Sequence, residues 1–190
     1  MSQSVIENEF APLSLNVGEI DQTGLSPLEG GGVSSALGFK AAGIHAGFRA
    51  DPDRLDYGLV VADQPCPAAA TFTTNVFCAA PVIVSRQHLN GQSFGLARAV
   101  SINSGIANAA GEVGLQTAQA SCRIVADAVG CTADEVLVAS TGVIGQHLDL
   151  LPFQSGAPAA VASLSRDGGD AAARAIMTTD THSKQYAVSF

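Results

Sequence analysis

The chain has no tryptophan and few aromatics of any kind, with eight Phe and two Tyr among 190 residues. A core built of bulky rings is therefore out of reach, and the abundance of Ala and Gly favours helices packed closely against a sheet. Basic residues are scarce too: nine Lys and Arg stand against seventeen Asp and Glu, a formal charge of −8. That balance repels nucleic-acid phosphates and an anionic membrane surface. No apolar run reaches the ~20 residues a membrane-spanning helix needs. The N-terminus lacks the basic-then-apolar pattern of a secretory signal. The four cysteines, Cys66, Cys78, Cys122 and Cys131, form no C-x-x-C pair. Without an export signal they are expected as reduced, mostly buried thiols of a cytoplasmic protein, with neither disulfide nor structural zinc.

What is present is enough for one domain. Hydrophobic residues make up 47% of the chain, which excludes a disordered polymer. Residues 1–32 show no clear period and end in Glu29-Gly30-Gly31-Gly32, so they read as a flexible extension ahead of a domain over 33–190. Strands are expected over Asp56–Asp63, over Ala69–Asn75 after a break at Pro65 and Pro67, and at the start of Ala80–Leu89, which then turns helical. Ala97–Gly105 reads as an apolar strand followed by a small polar break. Glu112–Val129 is the strongest helix, with Leu115, Ala118, Cys122 and Val125 at helical spacing and Gly130 at the C-cap. Thr132 and Glu135 have the spacing of a capping box. Further helices are expected over Leu150–Leu164 and Gly168–Ile176, and a final strand over Gln185–Phe190. Early strands adjoin and later ones alternate with helices, which predicts an α/β fold of layered sheets with helices outside rather than a doubly wound sheet.

The stretch VLVASTGVIG, Val136 to Gly145, concentrates the chemical interest. Its apolar start predicts a short strand buried on both faces, ending at Ser140-Thr141-Gly142. A hydroxyl followed by a glycine amide with no Cβ over it is suited to holding a developing negative oxygen. Conventional catalytic signatures are missing: there is no G-x-S-x-G elbow, Walker loop or dinucleotide fingerprint. His45, His88, His147 and His182 have no ligand spacing, Asp51 and Asp53 read as a solvated turn, and Asp167 and Asp170 as helix-capping groups. Two more clusters share the small, polar character of the STGVIG break. They are NSGIANA, from Asn103 to Ala109, and MTTDT, from Met177 to Thr181. Such residues donate and accept hydrogen bonds at close range, as a preformed small-molecule pocket requires.

GFKAAGIHAGF, AATFTTNVFCAAPVIVSRQHL, ARAVSINSGIANA, VLVASTGVIG and ARAIMTTDT follow one another along the chain. In that order they resemble the N-terminal part of the ornithine acetyltransferase family, the bifunctional glutamate N-acetyltransferase and amino-acid acetyltransferase of arginine biosynthesis. The resemblance covers about Gly31 to Phe190. It implies an αββα-type sandwich, not a Rossmann fold, and a precursor that cuts itself before a threonine. The resulting alpha and beta chains stay together as a heterotetramer of two alpha and two beta chains. The new N-terminal threonine is the nucleophile and its own amine the base. It takes an acetyl group from N-acetylornithine and passes it to glutamate in a ping-pong exchange. No cofactor or metal is required, and acetyl-CoA is a possible further donor. The family's oxyanion hole falls on Thr141 and Gly142, and its substrate-binding threonine on Thr178, with Thr179 the alternative.

Two departures accompany the resemblance. The family's N-S-G-N-A-N-A-C-T-G reads NSGIANAAG here, so Ile106 replaces an amide in a polar loop. The K-G lysine and the Ala-Thr cut are absent up to Phe190, so the chain is expected to be an incomplete gene product or one piece of a longer one. On its own it is expected to be inactive, with an unpaired edge at its terminal strand. The alternative is a non-catalytic family relic that only binds.

Overall fold

A computed structural model describes residues 24–89, 94–111 and 113–190. Its strands are β1 (Ser26–Pro27), β2 (Phe39–Ile44), β3 (Tyr57–Ala69), β4 (Phe94–Ile106), β5 (Val136–Val143) and β6 (Val188–Ser189). Its helices are α1 (Ala80–His88), α2 (Gly114–Val129), α3 (Leu151–Ala162) and α4 (Gly169–Ala175), with one 3₁₀ turn over Ala133–Glu135. The main sheet has four strands in the order β2-β3-β4-β5, and β1 and β6 form a separate two-stranded ribbon. The β2–β3 and β3–β4 pairs are antiparallel; β4 and β5 are parallel and α2 is the crossover between them. A mixed sheet of this order is α/β but not a doubly wound Rossmann sheet.

The two faces of the sheet are covered differently. Tyr57, Leu59, Val61, Ala99, Val136 and Val138 meet α1, α2 and α3 in one apolar core. Phe48, Tyr57 and Phe153 stack there with ring centroids 4.7–5.8 Å apart, and the Tyr57 hydroxyl lies 2.9 Å from Ser101 Oγ. On the opposite face α4 lies almost against the backbone. A side chain at Gly43 would overlap the Ala171 carbonyl, and one at Gly58 would touch Ile176 and Ala175. Because residues alternate along a strand, Val100, Ile102, Leu137 and Ala139 share the α4 face. Each of these is half-buried or, for Ala139, exposed.

Local chemistry explains most of the elements. The buried stripe of α2 comprises Thr117, Ala118, Ser121, Cys122, Val125 and Ala126, and Gly130 closes the helix in the left-handed region at φ 78°. Leu115, expected on that stripe, is instead 37% exposed. Thr132 and Glu135 form the capping box of the 3₁₀ turn. Pro81 and Pro152 occupy the first turns of α1 and α3, where a missing N–H costs nothing.

Four expectations need correction. The chain does not break at Pro65 and Pro67: β3 runs through both, and residues 70–75 are irregular. The reason is that β2 pairs only as far as Ala62, so the rest of β3 is an edge with a register shift between Val61 and Cys66, where proline is tolerated. Ala80–His88 is helical throughout despite Val82-Ile83-Val84; burial of Val84 overrides strand propensity. β5 is buried on one face, with Val136 and Val138 inside and Ala139 exposed. The terminal strand is two residues long and is paired, Val188 with Pro27 and Ser189 with Ser26. Of the predicted extension, residues 1–23 lie outside the described residues, and 26–27 form β1.

Candidate functional site

The strand does not end at Ser140–Gly142 as expected; β5 continues to Val143, paired with β4. Ser140 stands beside Asn103, Thr141 beside Ser104 and Gly142 beside Gly105. At the glycine pair no side chain fits on Gly142. Gly105 has φ 111° and Gly142 φ 134°, and a Cβ on Gly142 would overlap the Gly105 carbonyl. Only glycine satisfies both the angle and the space. Ser140 Oγ donates to Asn103 Oδ1 at 2.6 Å, and Asn103 Nδ2 donates to the Ile106 carbonyl at 2.9 Å. The loops after both strands stay bonded, with Ala107 N–H on Val143 O at 2.9 Å and Gly145 N–H on Ala109 O at 3.0 Å. Thr141 projects from the same face as Ser104 and is half-buried, while Gly142 is exposed. A hydroxyl and a bare backbone unit are thus presented at a rigid, open sheet end.

The MTTDT segment reaches this end from α4. Ser104, fully buried, donates its hydroxyl to the Ala175 carbonyl at 2.7 Å. Beyond Ala175 two arginines hold the backbone. Arg49 Nε donates to Ser104 Oγ at 3.3 Å and its Nη2 to the Met177 carbonyl at 3.0 Å; Arg54 Nη2 donates to the Thr178 carbonyl at 3.1 Å. Burial, and to a lesser degree the nearby Arg54 charge, lowers the Arg49 pKa, with Asp56 opposing the shift. Asp56 itself is fully buried and accepts the Ala46 and Arg49 backbone N–H groups at 2.6 and 2.9 Å. His45 Nδ1 lies 3.3 Å from the same carboxylate. Thr178 is half-buried and its N–H donates to Asp180 Oδ2 at 3.2 Å, while Thr179 is exposed. The hydrogen bond from Lys184, followed by that from Thr178, holds the Asp180 carboxyl below its ordinary pKa.

Thr141 and Thr178 therefore approach one end of the sheet through a chain of contacts that runs Thr141, Ser104, Arg49, Met177, Thr178. Of the linking groups, Ser104 falls within the NSGIANA cluster named from the sequence, whereas Arg49 and Asp56 do not appear among the sequence candidates; the charges inside GFRADPDRLD are their one local signal. Asp51 does form the predicted turn, accepting the Asp53 N–H at 3.1 Å. Asp170 sits in the first turn of α4 without capping it.

Fold and site together define a mixed α/β protein with a small-residue, hydroxyl-bearing site at one end of its sheet. The sequence model of the ArgJ family matches residues 40–190, and the chain belongs to that family. It is 52% identical over 159 residues to the arginine biosynthesis bifunctional protein ArgJ of Thermosynechococcus vestitus, covering 83% of this chain and 37% of that one. The chloroplastic ArgJ protein of Sorghum bicolor is 46% identical over 161 residues, covering 83% and 34%. The chain thus spans little more than a third of the length of these relatives. Among solved structures, ornithine acetyltransferase from Mycobacterium tuberculosis, complexed with ornithine, superimposes with a TM-score of 0.80 at 40% identity, covering 86% of this chain and 88% of that one. The ArgJ protein of Bacillus halodurans gives 0.74 at 36% identity, covering 83% and 81%. No helix among the described residues is long and apolar enough to cross a membrane.

Proposed function

We propose that this chain is the N-terminal part of a cytoplasmic acetyltransferase that moves the acetyl group of N-acetylornithine to glutamate. In this reading Thr141 and Gly142 form the oxyanion hole, Thr178 or Thr179 binds the substrate, and the nucleophilic threonine lies on a complementary beta chain. The nucleophile's oxygen bonds to the acetyl carbonyl carbon, and the carbonyl oxygen becomes an anion that the Thr141 hydroxyl and the Gly142 N–H stabilise by donation. Collapse breaks the C–N bond, the ornithine amine leaves with a proton, and an acetyl ester remains on the enzyme. The glutamate amine then attacks that ester through the same anion, and the hydroxyl is regenerated. No cofactor enters these steps; acetyl-CoA would act only as another acetyl donor.

The observation that carries the reading is the Gly105–Gly142 contact, which leaves Thr141 and Gly142 at an open sheet end whose backbone cannot move aside. The ornithine bound to the similar Mycobacterium tuberculosis protein supports the substrate class. Chain lengths support the division into two chains. This sequence covers most of the chain in that structure but about a third of the full-length relatives. The partly uncovered α4 face, with Val100, Ile102 and Leu137, is where a beta chain would pack, giving a tetramer of two alpha and two beta chains. The test is ornithine release from N-acetylornithine and glutamate by the complete protein, with the isolated chain as comparison. Release by the complete protein and none by this chain is expected; no release by a complete, processed protein sinks the reading.

A further inference from the structure

We propose that Arg49 is a positioning residue that fixes the substrate-side segment Met177–Thr178 against the strand pair bearing Thr141, and so sets substrate affinity. This rests on the acetyltransferase reading of the same site. The guanidinium bridges two elements far apart in sequence, with Nε on Ser104 Oγ at 3.3 Å and Nη2 on the Met177 carbonyl at 3.0 Å. Ser104 is the register partner of Thr141, and Met177 immediately precedes Thr178. One rigid planar group therefore spans the two halves of the site.

The bridge is itself held from behind. Asp56, fully buried just before β3, accepts the Arg49 N–H at 2.9 Å and the Ala46 N–H at 2.6 Å. The Asp56 carbonyl in turn accepts the Ser104 N–H at 2.8 Å, so Asp56 fixes both the base of the arginine and the residue it reaches. Past Ala175 the chain leaves α4, and its last carbonyls have no partner within the helix. Ser104 takes the last of them, at Ala175, and two residues past the helix end Arg49 takes the Met177 carbonyl. The remaining contact, Arg54 to the Thr178 carbonyl at 3.1 Å, is made by a side chain in a more exposed setting. Of the two arginines, Arg49 alone touches both halves.

The experiment uses the complete processed protein with Arg49→Met, which keeps the apolar stem, and Arg49→Lys, which keeps the charge but not the fork. Acetyl exchange from N-acetylornithine to glutamate gives KM and kcat, and hydrogen exchange follows the amides of residues 177–181. Arg49→Met is expected to raise KM for N-acetylornithine roughly tenfold with kcat changed by less than about threefold, since the lost order acts on ground and transition states alike. Amide exchange in 177–181 should rise while that of β4 and β5 stays as in wild type. Arg49→Lys should recover less than half of the lost affinity, because one ammonium cannot reach both acceptors. Added guanidinium should partly restore KM in Arg49→Ala. Wild-type activity with unchanged KM in both variants overturns the assignment alone, and so does a fall in kcat and melting temperature with KM intact. A wild-type complete protein without acetyl exchange overturns the functional reading, and this assignment with it.

Discussion

The two halves of the site are built on opposite principles. Asn103–Gly105 and Ser140–Gly142 are fixed by the backbone itself, through a parallel ladder and a glycine pair with no room for a Cβ. Met177–Asp180 has no ladder; the side chains of Arg49 and Arg54 hold it from outside, and Thr179 and Asp180 are exposed. Groups that must meet a charge existing only in a transition state gain from a frame that does not reorganise. A segment that must admit and release a small molecule gains from being tethered at a few points. The difference predicts that mutations in the first half act on folding and turnover, and those in the second on affinity.

The largest effect is expected at the glycine pair. Gly142→Ala places a Cβ into the Gly105 carbonyl and forces an L-residue to φ 134°. The strand pair must separate or twist, at a cost on the order of 3–5 kcal/mol. Denaturant unfolding of the variant should show that loss or fail to give a folded baseline. A loss below about 1 kcal/mol would mean that β5 can shift freely, and the contrast between a rigid half and a tethered half would collapse.

Next in size is Thr141, in a complete and processed enzyme. Thr141→Ala removes one of two proposed oxyanion donors, and kcat should fall about 10²–10³-fold with KM little altered. Thr141→Ser keeps the hydroxyl and should be much milder. Since the same hole can assist self-cleavage, processing is checked on a gel first. Full processing with turnover within a few-fold of wild type leaves Thr141 as a strand residue only.

The second half separates Thr178 from Thr179. Thr178 is half-buried beside the Arg54 contact, whereas Thr179 is exposed. Thr178→Val is expected to raise KM for N-acetylornithine roughly tenfold by deleting one hydrogen-bonding group, and Thr179→Val to leave it within about twofold. The reverse ranking would transfer the binding role to Thr179.

Much of the frame around the rigid half is legible in the sequence, because its signals are local. Apolar strand text, the helical spacing of Ala118, Cys122 and Val125, Gly130 at the helix end and the Thr132–Glu135 box each involve neighbours a few residues apart. Errors arose where tertiary context decides. Pro65 and Pro67 are read as breakers unless it is known that β2 has ended and only β4 lies alongside. Val82-Ile83-Val84 is read as strand unless it is known that Ser85, one residue on, bonds the β5 backbone at Val138. The tether was invisible for the same reason: Arg49 reaches Ser104 across 55 residues and Met177 across 128. No periodicity records a contact of that range.

The smallest effect should come from Asp180, and it tests whether the tethered half orders itself. Its carboxylate accepts from Lys184 and from the Thr178 N–H, both within four residues, and these bonds owe nothing to Arg49 or Arg54. Those bonds hold its pKa below the ordinary 3.8, so the interaction is intact through neutral pH and is lost only as pH falls into the acid range. KM for N-acetylornithine should therefore show no titration from this group between about pH 6 and 8. An exposed pair of this kind contributes little in water and is screened by salt. Asp180→Asn, which keeps an acceptor for Thr178, should shift KM by no more than about twofold, and added salt should mimic it. A tenfold rise matching that of Arg49→Met would show that the segment is organised by its own short-range bonds. The contrast would then lie between two self-ordered halves, with Arg49 only joining them.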